Sequence, residues 1–182
     1  MSNELLPDVP KINEDILTKY NLKIIFCGMA AGKISAKVGG YYADTRNKFW
    51  DVLDRLQFTE KRIKSCEYKE ILKNNLGLTD LVKNQSGVDS EIIIKEKDIK
   101  KDIDELKKKL KKWNPKILAF NGRKPAEIFL KKNQPSWGKQ NQKQTDSLEI
   151  WVLPSTAGLN TWWKIKNHEK IWENLYQNMG KL

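Results

Sequence analysis

Apolar and polar positions along this chain alternate between two rhythms. Short apolar runs occur at Lys23-Ile24-Ile25-Phe26-Cys27-Gly28, Gly77-Leu78-Thr79-Asp80-Leu81-Val82, Lys116-Ile117-Leu118-Ala119-Phe120 and Leu148-Glu149-Ile150-Trp151-Val152-Leu153. Runs of this length without strict alternation are what strands buried on both faces require. Between them the spacing turns helical, at Asn47 to Leu56 and Ile63 to Asn74, and most clearly where Ile99, Ile103, Leu106, Leu110 and Trp113 recur. A further helix is expected from about Pro125, and a last one from Asn167 to Met179. Strands alternating with helices predict an α/β fold. The expectation is a single three-layer domain over 1–182, with a central, mainly parallel four-stranded sheet flanked by helices; 182 residues suffice for one such core.

Composition narrows the class. The hydrophobic share of 39% and 7 Trp supply a core and exclude a disordered chain. With 34 Lys and Arg against 23 Asp and Glu the net charge is +11, which points to an anionic partner such as nucleic acid. The densest charge, nine lysines with five acids from Lys95 to Lys112, shares a helix with the apolar stripe and reads as its solvated face. Cys27 and Cys66 lie far apart, which predicts a reducing, cytoplasmic setting. No run approaches a membrane span, and Met1 to Pro10 does not have the pattern of a secretion signal. A single histidine, His168, leaves no metal-ligand cluster and no catalytic triad. Neither cofactor nor metal is expected.

Ligands of open parallel sheets sit at the carboxyl ends of the strands, so the loops that follow the runs carry the candidate chemistry. The first is Gly28-Met29-Ala30-Ala31-Gly32-Lys33-Ile34-Ser35, whose small residues admit a close ligand. It differs from a phosphate-binding P-loop, which has four residues between its glycines and Ser or Thr after the lysine; here three intervene and Ile34 follows Lys33. The same segment continues into Gly39-Gly40-Tyr41-Tyr42-Ala43-Asp44-Thr45-Arg46-Asn47-Lys48-Phe49-Trp50. Its paired tyrosines suit stacking on a planar base, or half-buried packing. Residues 133–147 read as a polar loop, in which Trp137-Gly138-Lys139-Gln140 places an aromatic beside a cation. After the last strand comes Pro154-Ser155-Thr156-Ala157-Gly158-Leu159-Asn160, where Leu159 is either a wedge for a base stack or an inward loop residue.

Taken together these segments resemble the uracil-DNA glycosylase superfamily, in particular its mismatch-specific uracil/thymine branch and the related hypoxanthine branch. Leu6-Pro7-Asp8, Ile24 to Gly28, Asn47-Lys48-Phe49-Trp50, Trp137 to Gln140 and Ile150 to Pro154 follow the order and spacing of the mismatch-specific motifs. Tyr41-Tyr42, Arg46-Asn47, Phe120-Asn121-Gly122 and Leu153 to Thr156 look more like the hypoxanthine branch.

The resemblance implies hydrolysis of the bond between sugar and a deaminated base flipped from DNA, by a monomer without cofactor. Its partner would be DNA holding a damaged or mismatched base, near the nucleoid if the cell is bacterial. Gly28, Met29, Ala30, Ala31 and Gly32 would form the floor of the base pocket. Ser35 would lie near the pyrimidine 5-position, and Tyr42 would stack on the base. Ser155, Thr156, Gly158, Leu159 and Asn160, with Lys139 and Arg46, would hold the DNA. The mismatch-specific enzymes carry Asn-Pro where this chain has Ala30 and Ala31, and that Asn positions the attacking water. The hypoxanthine branch also lacks that Asn and relies on the position that Asn47 holds here, so the resemblance implies Asn47 as the candidate catalytic residue, with Asp44 second, although either side chain could simply cap its own backbone. A non-catalytic reader of damaged bases is the rival reading. Lys33 is the candidate for an imine with an abasic sugar.

Overall fold

The computed structural model describes residues 15–17, 22–141, 147–158 and 168–180. Five strands form one sheet: β1 (Ile24–Gly28), β2 (Leu76–Asp80), β3 (Ile117–Asn121), β4 (Gly138–Lys139) and β5 (Glu149–Leu153). Their order is β2-β1-β3-β5-β4; the first four run parallel, and β4 pairs antiparallel with β5 along the edge. The expected four strands are thus present, with a fifth added inside the segment expected to be loop. Two residues of GK carry no hydrophobic pattern, and their pairing depends wholly on β5 being adjacent.

Two apolar layers cover the sheet. Ile24, Phe26, Leu76, Leu78, Ile117, Ala119, Trp151 and Leu153 point to one face. There they meet α2 (Phe49–Arg55), α5 (His168–Met179) and Ile71 of a 3-10 segment at Ser65–Asn74. The alternate residues Ile25, Cys27, Leu118, Phe120, Ile150 and Val152 meet α3 (Glu96–Trp113) and α4 (Arg123–Leu130) on the other face. Ile103, Leu106 and Leu110 of α3 are buried, so its lysines do form the solvated side. Phe26, Phe49, Phe58 and Trp172 interlock at 5.3–6.4 Å between centroids, and the Trp172 indole N–H donates to the Pro154 carbonyl at 3.1 Å. Aromatic pairs of this kind add about 0.5–1.5 kcal/mol each beyond burial.

Two local expectations need correction. Part of the segment after β1 is helical, α1 (Lys33–Val38), ended by Gly39 at φ 69. Six residues with Ile34 and Val38 exposed and only Ser35 and Ala36 buried leave no periodic stripe to read. The stretch before β2 is 3-10 rather than α-helix; it is held by Glu67, which accepts from the Lys64 amide at 3.2 Å.

Candidate functional site

The strands β2, β1 and β3 end level with one another. Gly28 pairs with Asp80, and Cys27 with Phe120, which brings Asn121 alongside Gly28. By the alternation of the strands, Asp80, Gly28 and Asn121 continue the rows that end in Leu78, Phe26 and Ala119, on the face covered by α2. The apolar core therefore stops one residue short of the rim, and a polar row replaces it: a carboxyl, a glycine and a carboxamide. A side chain in the middle would displace the Asp80 carboxyl. A Cβ on Gly28 would lie 2.5 Å from Asp80 Oδ1 and 3.6 Å from the Tyr42 hydroxyl.

Tyr42 covers this row. Its backbone has φ 51, a left-handed geometry that is unfavourable for a bulky residue. The ring is held by stacking on Phe49, 3.9 Å between centroids at 22°. The preceding Tyr41 is core: it is buried, the Trp50 indole donates to its carbonyl at 3.1 Å, and Lys83 Nζ donates to its hydroxyl at 2.8 Å. Of the two readings of the pair, buried packing holds for Tyr41. Tyr42 is half-buried, with one face on Phe49. Its hydroxyl is enclosed; burial and the Asp80 charge raise its pKa far above the usual phenol value, against the opposing hydrogen-bond contribution of Asn121.

The two ends of the row differ in chemistry. Asn121 is tied to Thr156: its Nδ2 donates to Thr156 Oγ1 at 2.8 Å, and its Oδ1 accepts from the Thr156 amide at 3.0 Å. Asp80 sits in a charged network. Lys83 Nζ lies 3.9 Å from Asp80 Oδ2 and 3.0 Å from Asp15 Oδ1, while Lys109 reaches Asp15 Oδ2 at 2.6 Å and Thr79 donates to Asp15 at 2.6 Å. Asp15 takes most of the cationic contact; its carboxyl is lowered below the usual range because Lys83, Lys109 and Thr79 outweigh its burial. Asp80 receives only the long contact, so burial wins and its carboxyl is pushed up to about 6. Sequence reasoning passed over Asp80 because it lies within the run Gly77 to Val82; an acid interrupting an apolar run is the signal that could have singled it out.

The loops above the row are zipped together. The carbonyls of Gly28, Met29 and Ala31 accept from the amides of Leu81, Val82 and Gly87 at 2.9–3.0 Å. Among the described residues, the bonds that join these loops do not use the amides of Ala30 and Gly32, which lie on the expected pocket floor. Ser35 is buried, and its Oγ accepts from the Ala43 amide at 3.0 Å, so it clasps α1 to the tyrosine loop. Asn47 Oδ1 accepts from the Phe49 amide at 2.9 Å, a cap on the start of α2 that leaves this oxygen one lone pair for a further donor. Asp44 is gripped by Arg46: the Arg46 amide and Nε donate to one oxygen at 2.9 and 3.0 Å, and Nη2 to the other at 2.7 Å. This pair lowers the Asp44 pKa and lies at the surface. Lys33 pairs with Glu91 at 2.6 Å.

On the other side, the Lys48 amide donates to the Thr156 carbonyl at 2.9 Å, and Gly158 packs so closely on Arg46 that a Cβ has no room. Ser155 lies beside Gly122. Leu159 and Asn160, expected to enter the helix, lie outside the described residues, as does the Leu6-Pro7-Asp8 motif. Lys139 pairs with Glu149 at 2.6 Å, so it is not the cation of Trp137. That cation is Arg123, whose guanidinium lies 4.0 Å over the indole, with His168 edge-on at 5.4 Å. Such a stack follows from the start of α4, the approach to β4 and the start of α5 converging and cannot be read from Trp137's neighbours in sequence.

The row lies at the end of the sheet that open parallel folds use for ligands. A shallow groove lined by Lys23, Gln57, Thr59 and Lys73 opens at the opposite, amino end of β1. Among the described residues no group of His, Cys, Asp and Glu is arranged to hold a metal, and no helix is long and apolar enough to cross a membrane. The model of the uracil DNA glycosylase superfamily matches residues 15–176, from Asp15 of the charged network to Tyr176 of α5, so its span includes every member of the polar row. With nearly the whole chain matched and a mostly parallel sheet carrying its loops at one rim, the protein belongs to the uracil DNA glycosylase superfamily.

Proposed function

We propose that the protein is a monofunctional DNA glycosylase of base-excision repair that hydrolyses the bond between deoxyribose and a deaminated base, uracil or hypoxanthine, flipped out of the duplex. The observation that carries this reading is the polar row Asp80, Gly28 and Asn121 beneath Tyr42, at the carboxyl rim of a domain of this superfamily. A flipped base needs a slot wide enough for a ring and lined by hydrogen-bonding groups, and the missing side chain of Gly28 gives the row its gap. The leaving base departs as an anion; preorganised donors at Ala30 and Gly32 would stabilise it as charge develops. Water adds to C1′ as the glycosidic bond breaks. With Ala30 unable to orient that water, Asn47 Oδ1 is the acceptor proposed to do so through its remaining lone pair. Arg46 and Lys139 would meet phosphates by exchanging their present carboxylate partners, which makes affinity fall steeply with salt.

Ala30 and Ala31, with Asn47 already serving as a cap, favour one rival: a non-catalytic binder of damaged bases. A single-turnover assay on duplexes bearing uracil, hypoxanthine, xanthine and mismatched thymine, in EDTA, separates the two. Release of base from at least one lesion is expected, and Asn47→Ala should slow it ~10²-fold with duplex affinity little changed. Tight lesion binding without release would establish the rival. Borohydride trapping of Lys33 on the abasic product would replace hydrolysis alone by a lyase step.

A further inference from the structure

We propose that Lys83 is a positioning residue of this site, holding the tyrosine loop by the Tyr41 hydroxyl so that the Tyr42 ring stands ready to stack on a flipped base. The inference rests on the glycosylase reading above and adds to it the device that fixes the stacking ring.

Tyr42 carries its ring on a strained support. A φ of 51 is a geometry that a bulky residue keeps only when its surroundings impose it. Stacking on Phe49 holds one face of the ring. The chain on the amino side runs through Gly39 and Gly40, which impose little direction of their own. The remaining constraint falls on the adjacent residue. Tyr41 is fixed at its carbonyl by the Trp50 indole at 3.1 Å, at its ring by Tyr68 with centroids 5.8 Å apart, and at its hydroxyl by Lys83 Nζ at 2.8 Å.

The third of these contacts is the one that needs explaining. Asp15 already accepts from Lys109 and from Thr79, each at 2.6 Å, so its charge is met without a second ammonium. Lys83 is drawn in all the same, its side chain only 21% exposed and its Nζ 3.0 Å from Asp15. Taking an ammonium out of water costs free energy that a solvated lysine avoids. What the placement secures is the Tyr41 hydroxyl, with Nζ also 5.4 Å from the centre of that ring. The support behind Lys83 is rigid. Ile16, next to Asp15, exchanges two backbone hydrogen bonds with Leu78 of β2, and the Leu81 and Val82 amides bind the carbonyls of Gly28 and Met29. A chain of contacts thus runs from the sheet edge through Asp15, Lys83 and Tyr41 to Tyr42. Lys83 itself touches no base. A platform contributes its full stacking only when it is ordered before the base arrives, because ordering it on binding offsets part of the gain.

The test measures binding, so it does not depend on turnover. Affinity is determined at neutral pH for duplexes carrying uncleavable 2′-fluoroarabino-uracil or the corresponding hypoxanthine nucleotide, each divided by the affinity for the undamaged duplex. Tyr41→Phe removes the oxygen that Lys83 holds and alters no charge; Lys83→Met removes the ammonium. Each should lower the ratio roughly 5–10-fold, a part of what one base stack contributes. The two losses should not add, since both cut the same hydrogen bond. In a Tyr42→Ala background neither should lower the ratio further, and Lys83→Arg, which keeps a donor, should retain most of it. Thermal unfolding is followed alongside, and Tyr41→Phe, which keeps the buried ring, carries the test if Lys83→Met does not fold. Variants that melt earlier but keep the wild-type ratio, losses that persist without the Tyr42 ring, or a Tyr42→Ala protein that binds lesions like the wild type would each overturn the role of Lys83. Any of these leaves the glycosylase reading intact if base is released. No preference for either lesion in the wild type, with no release of base, would remove both.

Discussion

The two halves of the rim are built from similar side chains and behave differently. On the β3 and β5 side, Asn121 and Thr156 exchange two hydrogen bonds and neither carries charge. On the β1 and β2 side, Asp80 is buried beside the Tyr42 hydroxyl, and its nearest cation, Lys83 at 3.9 Å, is held closer by Asp15. The neutral pair contributes stability, while Asn121 keeps a second Nδ2 hydrogen and a second Oδ1 lone pair. An open, partly charged one costs stability and keeps hydrogen-bonding capacity for something that arrives later. The contrast sets a hydrogen-bonded neutral pair against a buried carboxyl along the same sheet edge.

Breaking the closed half should have the largest effect on stability. Asn121→Ala leaves the buried Thr156 amide and hydroxyl without partners, for a loss of roughly 2–4 kcal/mol. Thermal unfolding should show it as a fall of about 5–12 °C for a chain of this size. A change under about 1 kcal/mol would mean that the pair is not the fastener it is taken for.

Relieving the open half should do the opposite. The Asp80 carboxyl has its pKa raised from 3.8 to about 6 in the folded state, so the unfolded chain gives up the proton first. Its contribution is intact below about pH 4 and is lost as pH rises through about 6. Asp80→Asn should therefore be more stable than the wild type at pH 7–8, by roughly 1–3 kcal/mol, with the difference vanishing near pH 3.5. Urea titrations at the two pH values measure this. A variant less stable at pH 8 would show that Lys83 depends on Asp80 more than on Asp15.

Smaller effects test the borders of the comparison. Asn47→Ala removes the cap on the Phe49 amide and should cost about 1 kcal/mol. Since the same oxygen is proposed to hold water, a loss of rate much larger than this loss of stability separates the two roles. Lys139→Ala, which breaks a surface pair with Glu149, should change stability by less than about 0.5 kcal/mol. If Lys139 reaches a phosphate, the salt dependence of DNA binding should drop by about one unit of slope.

The strands β1, β3 and β5 and the helix α3 were legible because burial writes directly into residue type: two-sided burial demands continuous apolar runs, and one-sided burial demands the stripe Ile99 to Trp113. The motif order along the chain was enough to suggest the superfamily, and the match over residues 15–176 agrees. Resemblance also located the loops that form the rim. What those loops do was not legible. Asn47 as a cap, Ser35 as a clasp and Asp44 bound to Arg46 are decided by which backbone amides happen to face them, and only the folded chain fixes that. The polar row is the extreme case. Gly28, Asp80 and Asn121 are separated by about fifty and forty residues, and they become neighbours through the register of parallel strands joined by long crossovers. No local pattern records a register between distant strands, so an aspartate that reads in sequence as one member of the run Gly77 to Val82 becomes, beside Gly28, a buried carboxyl under Tyr42.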